Sequence, residues 1–199
     1  MERRSLQLDG PLDLRATLRP LHGRFRDDGW WLTARTGDGQ ASLRVRRTPS
    51  EVIGEAWGDG AGNLLDRLHR ITGLEDDPSE FQPDDVLVAD LHRTHPGWRF
   101  GRTDQVFDAL LVSICGQKVT GQEAAAAMSG LYRRFGDPAP GPDESLRLPP
   151  DPTRMAESPY HEFHRLHLEK RRADVIRTVS ARAAEIDALA GRAPEQAAA

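Results

Sequence analysis

A short polar loop, Gly116-Gln117-Lys118-Val119, lies between two segments with helical patterns. The first segment is apolar and the second begins at Thr120, so the loop's backbone donors and side chains extend from a rigid base. Such a position suits ligand binding, and backbone donors at the start of a helix favour anions. Taken alone, the loop also fits a solvated connection between two helices.

A run of three cations, Lys170, Arg171 and Arg172, stands at the predicted start of a later helix. Positive charge there opposes the helix macrodipole, so the run needs another reason, and a phosphate partner supplies one. The alternative is an exposed basic helix start. The formal net charge of −4 at pH 7 excludes a protein that holds nucleic acid by bulk positive charge, which leaves local basic patches.

Metal and thiol chemistry find little support in the sequence. The single cysteine, Cys115, cannot form an internal disulfide or supply a cysteine-rich metal or iron–sulfur site, and it ends an apolar face as a buried small side chain. His161, His164 and His167 recur every three residues, but Pro159 predicts an irregular start to that segment. We therefore predict neither a metal site nor a cofactor.

Residues 1–78 predict a small antiparallel β domain with a covering helix. A two-residue alternation of apolar and polar side chains, together with a glycine turn at residues 37–39, indicates strands. The predicted strands are residues 12–19, 30–35, 41–46 and 51–57. Apolar residues at helical spacing over 64–71, with Gly73 as a stop, predict the helix that covers the sheet. Arg15, Arg19, Arg44 and Arg46 are predicted to form a solvated sheet face without a role.

Residues 79–199 predict a second, all-α domain, because an acidic, proline-containing segment at residues 75–79 separates it from the first. Apolar spacing predicts helices over residues 86–95, 106–115 and 120–135, and one long helix ending at Gly191. Thr120 and Glu123 have the spacing of a capping box, and Gly136 is the expected helix cap. Together the two domains define an α+β protein.

Composition predicts a soluble, cytoplasmic protein of 199 residues without contact to membranes. Hydrophobic residues make up 38% and charged residues 29%, and no apolar run is long enough to span a bilayer. The first ten residues carry charges around isolated leucines, unlike a secretory signal. The oligomeric state stays open.

The order of these segments resembles a known family. Residues 107–120, the alanine run at 124–127 and Phe135-Gly136 resemble the opening of the alkylbase DNA glycosylase domain (3-methyladenine DNA glycosylase II family) of the helix-hairpin-helix superfamily. A β-rich domain usually precedes that helical core. Downstream, residues 163–173 resemble the family's basic turn before the hairpin.

The resemblance implies base-excision repair, in which an alkylated purine is flipped out of double-stranded DNA and its bond to deoxyribose is hydrolysed. It implies DNA-binding roles for Gln117, Lys118, Val119, Thr120, Lys170, Arg171 and Arg172. Lys118 stands where the family places a bulky wedge, expected to be leucine. A lysine is a poorer apolar wedge, although its stem can pack and its ammonium can reach a phosphate.

The family's glycine-rich hairpin and its catalytic aspartate do not occur before Ala199. We therefore expect an incomplete helix-hairpin-helix domain, no catalytic residue within this chain, and residues 194–199 as the beginning of a further helix. Two other functions stay open. One is a non-catalytic DNA-binding or regulatory module, and the other is a general helical interaction domain without affinity for duplex DNA.

Overall fold

The computed structural model describes residues 1–192, which have the predicted α+β architecture. The chain divides into two compact units. The first comprises Met1–Thr103 together with Pro140–Pro142, and the second comprises Asp104–Ala139 and the described residues from Asp143 onward. No helix of the described residues has the length and apolar character needed to cross a membrane.

The first unit contains a five-stranded antiparallel sheet in the order β1-β5-β4-β3-β2. Its strands are β1 (Glu2–Gln7), β2 (Arg24–Arg26), β3 (Gly29–Thr36), β4 (Gly39–Arg47) and β5 (Glu51–Trp57). Its helices are α1 (Leu14–Leu18), α2 (Ala61–Asp66), α3 (Leu68–Ile71) and α4 (Val86–Thr94), with a 3₁₀ turn at Pro78–Glu80. The predictions for β3, β4 and β5 are confirmed.

The prediction of a first strand over residues 12–19 is wrong, because this segment forms α1. The Asp13 carboxylate accepts a hydrogen bond from the Ala16 amide at 2.9 Å, which caps a helix start and overrides the alternating pattern. The true first strand is β1, which pairs with β5 along its whole length. Its side chains are almost all exposed, so it has no buried alternation that a sequence pattern could reveal.

The inner face of the sheet packs against α2 and α3, as predicted, and the leucines of these helices complete the first core. Gly54 allows this close packing, because a Cβ there would lie 2.8 Å from Leu68 Cδ2. The left-handed Gly73, with φ of +72°, follows α3 as the predicted stop.

The outer face of the sheet carries an ordered ionic network. Arg44 Nη2 and Arg46 Nη2 donate to Glu55 Oε2 at 2.7 Å and 3.0 Å, and Arg44 Nη1 donates to Asp28 Oδ2 at 2.7 Å. The Glu55 side chain is only 9% exposed. The prediction of a solvated face is therefore wrong for Arg44, whose guanidinium also lies over the Trp31 ring.

The first unit extends to Thr103, beyond the boundary at residue 78 that the acidic segment predicts. Its backbone holds the later segment directly, since Asp13 N donates to Gly97 O at 2.7 Å and Arg102 N donates to Arg70 O at 3.0 Å. Within this segment α4 forms where predicted, but none of its residues is buried.

The second unit is all-α. Its helices are α5 (Val106–Cys115), α6 (Gly121–Phe135), α7 (Pro152–Glu157), α8 (Tyr160–His164), α9 (Lys170–Ser180) and α10 (Ala183–Asp187), followed by a 3₁₀ turn at Ala188–Gly191. The predicted bounds of α5 and α6 are confirmed. The apolar faces of α5, α6 and α9 form the second core, in which Leu111, Leu131 and Ile176 are fully buried.

The prediction of one long helix ending at Gly191 is wrong, because the helix breaks at Ala181 and Arg182. Arg182 N donates to Val179 O, an i to i−3 bond that tightens the last turn of α9 and ends it. The apolar stripe nevertheless continues across the break, since Ile176 and Ala183 are both buried. The predicted helix start at residues 194–199 lies outside the described residues.

Candidate nucleic-acid interface

The α5–α6 loop (residues 116–120) begins at the buried end of α5. Cys115 is fully buried, whereas Gly116, Gln117 and Lys118 are exposed. Gly116 N donates to Val112 O at 3.0 Å and Gln117 N donates to Ile114 O at 3.3 Å, which closes the last turn of α5. The loop thus starts from a fixed point and presents its next two side chains to solvent.

Lys118 adopts a left-handed backbone conformation with φ of +56°. This region is unfavourable for residues other than glycine, asparagine and aspartate because the Cβ atom crowds the carbonyl oxygen. A residue held there against its preference is typical of loops that bind ligands. The bend at Lys118 turns the chain sharply between α5 and the start of α6.

Thr120 ends the loop with the predicted capping box, which is confirmed. Glu123 N donates to Thr120 Oγ1 at 3.3 Å, and Thr120 N donates to Glu123 Oε2 at 2.8 Å. The backbone amide and hydroxyl of Thr120 lower the pKa of Glu123, because both hydrogen bonds favour the ionised carboxylate. The start of α6 is therefore fixed as firmly as the end of α5.

The three predicted cations occupy the first turn of α9 but differ in their surroundings. Lys170 Nζ pairs with Asp174 Oδ2 at 2.6 Å and stays exposed. Arg171 is exposed, and no ion-pair partner for it occurs among residues 1–192. The Arg172 side chain is only 11% exposed, and its Nη1 donates to Cys115 O at 3.2 Å.

Arg172 thereby brings the first turn of α9 against the base of the α5–α6 loop, so the two predicted segments meet. Sequence reasoning did not foresee this contact, which joins residues 57 positions apart. It also did not foresee the left-handed Lys118, because lysine has no preference for that conformation. The one sequence feature that indicated a special role for Arg172 was its positive charge at the start of a helix, where such a charge is unfavourable.

Cys115 has the properties of a buried structural thiol, as predicted. Burial raises the pKa of Cys115 to about 11, against a smaller lowering effect of the Arg172 charge. The thiolate form is therefore scarce at neutral pH, which makes this side chain a poor nucleophile.

The histidines of the second unit do not share one helix face. His161 and His164 lie on α8, whereas His167 follows it in a left-handed turn with φ of +60°. Within the part of the chain that the structure describes, no group of three or more His, Cys, Asp or Glu side chains is arranged to hold a metal ion.

Comparison with known proteins gives structural matches only. No family model matches the chain, and no curated protein matches its sequence. A 3-methyladenine DNA-glycosylase from Archaeoglobus fulgidus matches 89% of the chain and 66% of its own length, with a TM-score of 0.73 and 15% identity.

Two DNA complexes are also similar. MBOgg1 in complex with a low affinity DNA ligand matches 92% of this chain and 63% of its own, with a TM-score of 0.70 and 14% identity. The second is the Clostridium acetobutylicum 8-oxoguanine glycosylase/lyase in complex with double-stranded DNA containing cytosine opposite 8-oxoG. It matches 92% of this chain and 65% of its own length, with a TM-score of 0.65 and 12% identity.

The chain therefore has a fold shared with DNA glycosylases, and the predicted relationship to them is confirmed at the level of fold. It spans 63 to 66% of the length of these three proteins.

Proposed function

We propose that this chain provides the DNA-contacting part of a base-excision DNA glycosylase. The observation that carries the proposal is the α5–α6 loop, which presents an exposed lysine in a left-handed conformation from a clamped base. The fold supports it, because two of the similar structures are complexes with DNA, and one of these is a complex of an 8-oxoguanine glycosylase/lyase.

In this function Lys118 takes the place of a wedge that fills the gap left by a flipped nucleotide. Its aliphatic stem supplies apolar contact, and its ammonium reaches a phosphate across the minor groove. Gln117, Val119 and Thr120 belong to the same loop surface, which faces the DNA in this proposal. Lys170 and Arg171, both exposed on the first turn of α9, contact the phosphate backbone.

We propose alkylated purines as the substrate, on the strength of the sequence resemblance over residues 107–136. The structural neighbours include 8-oxoguanine enzymes as well, so 8-oxoguanine is the comparison substrate. Anisotropy titrations with matched duplexes carrying an alkylated purine, 8-oxoguanine or no lesion test the proposal. Tighter binding of the 8-oxoguanine duplex than of the alkylated one would contradict this choice.

We further propose that the glycine-rich hairpin and the carboxylate that stabilises the developing sugar cation are not among the 199 residues of this chain. The 199-residue chain is then expected to release no 3-methyladenine or 7-methylguanine from duplex DNA above a heat-killed control. Chromatography of released bases measures this. Clear turnover would show that a carboxylate of this chain performs the catalysis.

Salt dependence of duplex binding tests the DNA contacts themselves. Because Arg171 neutralises a phosphate in this proposal, Arg171→Ser should reduce the slope of log K against log salt concentration by about one. Arg3→Ser is the matched control, since Arg3 is an exposed arginine of β1 to which we assign no DNA contact. The absence of duplex binding would favour a general helical interaction domain, and binding that changes neither with salt nor with Arg171→Ser would contradict the proposed phosphate contact. Binding with the expected salt slope but without lesion preference would favour a non-catalytic DNA-binding module.

A further inference from the structure

Arg172 occupies a position that its own helix disfavours. It is the third residue of α9, where the partial positive charge of the helix N-terminus opposes a cation. Its side chain is nevertheless mostly buried. Its Nε lies 3.6 Å from Glu169 Oε1, an ion pair too long for a hydrogen bond, and this Nε has no hydrogen-bond partner among the described residues. Leaving a buried donor unpaired is costly, so an apolar side chain of similar length would suit the fold better.

The carbonyl groups at the C-terminal end of α5 explain why an arginine is mostly buried at position 172. Carbonyls of the last helical turn have no partner within the helix and carry partial negative charge. Here Val112 O and Ile114 O accept from loop amides, and Cys115 O accepts from Arg172 Nη1 at 3.2 Å. Arg172 thus satisfies a carbonyl at the point where the α5–α6 loop begins.

The same guanidinium also acts on the far end of that loop. Its positive charge helps to lower the pKa of Glu123, after the larger effect of the hydrogen bonds from Thr120. Glu123 is the carboxylate of the capping box that fixes Thr120. Arg172 is therefore linked to both ends of residues 116–120, by a hydrogen bond at one end and by charge at the other.

We propose that Arg172 is a positioning residue, which holds the α5–α6 loop so that Lys118 keeps its left-handed conformation, and that it does not contact phosphate. This revises the DNA-binding role that the sequence resemblance implies for Arg172. The importance of this fixed loop conformation for base flipping rests on the proposed function. The fixed conformation itself is a property of the protein without DNA.

Hydrogen exchange of the free 199-residue chain tests the holding without DNA. Arg172→Met should accelerate exchange of the Gly116, Gln117 and Thr120 amides by about tenfold, because their hydrogen bonds at the two ends of the loop then open more readily. Its melting temperature should fall only slightly, because methionine fills the space and removes the unpaired Nε, while the Cys115 carbonyl loses its donor. Arg172→Lys should restore slow exchange, because its ammonium can donate to the same carbonyl. Arg171→Met, on the same turn but exposed, is the matched control and should leave exchange unchanged.

Unchanged exchange in Arg172→Met would overturn the proposal. Equal acceleration throughout the second unit would overturn it as well, because that result indicates a general loss of stability. If Arg172→Met lacks a cooperative melting transition, Arg172→Leu, which also removes every side-chain donor to the Cys115 carbonyl, should show the same accelerated exchange, and unchanged exchange in that variant would overturn the proposal.

Duplex binding separates this proposal from the proposed function. Arg172→Met should weaken the fluorescence response of a 2-aminopurine duplex, a signal of base unstacking, while the salt slope stays at the wild-type value. A slope reduced by about one would make Arg172 a phosphate contact and overturn the positioning role. If the wild-type chain binds no duplex at all, the proposed function fails, and hydrogen exchange alone still decides whether Arg172 holds the loop.

Discussion

Thr120 and Glu123 hold each other's backbone amides at the start of α6, with Glu123 N donating to Thr120 Oγ1 at 3.3 Å and Thr120 N donating to Glu123 Oε2 at 2.8 Å. Both amides would otherwise lack a partner at the helix start. This pair also ends the α5–α6 loop. The stability of α6 and the geometry of the loop therefore depend on the same two side chains.

Replacing Thr120 by alanine should lower the free energy of unfolding by about 1 kcal/mol, because the first turn of α6 loses the oxygen that caps it. Urea denaturation followed by circular dichroism measures the change. Thr120→Ser keeps the capping oxygen and should stay within a few tenths of a kcal/mol of the wild type. Equal losses in both variants would show that the methyl group of Thr120, and not the cap, stabilises the protein.

The outer-face network of the first unit should make stability depend on pH. Burial raises the pKa of Glu55, but hydrogen bonds and charge from Arg44 and Arg46 outweigh burial, and the net pKa is below its ordinary value of 4.5. Because the folded-state pKa is depressed, the ionised carboxylate stabilises the fold above pH 4.5. This contribution is lost as the pH falls through the folded-state pKa.

Glu55→Gln should therefore be less stable than the wild type at pH 7, on the order of 1–2 kcal/mol, because Arg44 and Arg46 lose their charged partner. The difference should be smaller at pH 3 than at pH 7, because protonation of the glutamate at falling pH removes the same charge that the substitution removes. Urea titrations at the two pH values measure both effects. Glu144→Gln, in an exposed loop, should change stability little at either pH. An equal loss of stability for Glu55→Gln at pH 3 and at pH 7 would mean that the change in side-chain shape, and not the loss of charge, is responsible.

Local signals predicted most of the fold. The Thr120–Glu123 spacing and the apolar face of α5 lie within one or two helical turns, so the sequence contains what decides them. The prediction failed where distant contacts decide. β1 is a strand because it pairs with β5, and its exposed side chains leave no pattern. Residues 12–19 alternate like a strand, but one side chain, Asp13, caps a helix there instead.

The candidate site was predictable only as two separate segments. Nothing in either segment indicates that Arg172 meets the Cys115 carbonyl, because that contact depends on how α9 packs against α5. The left-handed Lys118 was equally hidden, since glycine or asparagine is the usual sign of such a turn. The sequence thus identified residues near the site but not the difference between Arg171, which is exposed, and Arg172, which is mostly buried.

The exposed apolar residues of α4 should contribute little to folding. Leu87 is 67% exposed, and apolar surface of this kind favours association between molecules. Leu87→Glu should leave the free energy of unfolding within about 0.5 kcal/mol of the wild type and reduce self-association in sedimentation velocity. Leu64→Ala, in the first core, should instead cost about 2–5 kcal/mol. A loss from Leu87→Glu as large as that from Leu64→Ala would show that α4 is covered in solution.

The strain at Lys118 should separate stability from DNA binding. Glycine occupies the left-handed region freely, which relieves a cost of about 1–2 kcal/mol, but it also gains about 0.5–1 kcal/mol of backbone freedom in the unfolded chain. Lys118→Gly should therefore raise the free energy of unfolding by roughly 0.5–1 kcal/mol. The same variant should weaken duplex affinity, because the side chain that fills the gap of the flipped base is gone.

His167→Gly is the matched control for Lys118→Gly, since His167 is exposed and has nearly the same backbone conformation, with φ of +60°. It should gain similar stability while duplex affinity stays unchanged, because we place His167 outside the DNA-contacting residues. Thermal unfolding and fluorescence anisotropy on the same preparations measure both properties. If Lys118→Gly is stabilised but binds duplex as tightly as the wild type, the α5–α6 loop does not enter DNA. If both variants bind more weakly by the same factor, the effect belongs to backbone flexibility and not to the lysine side chain.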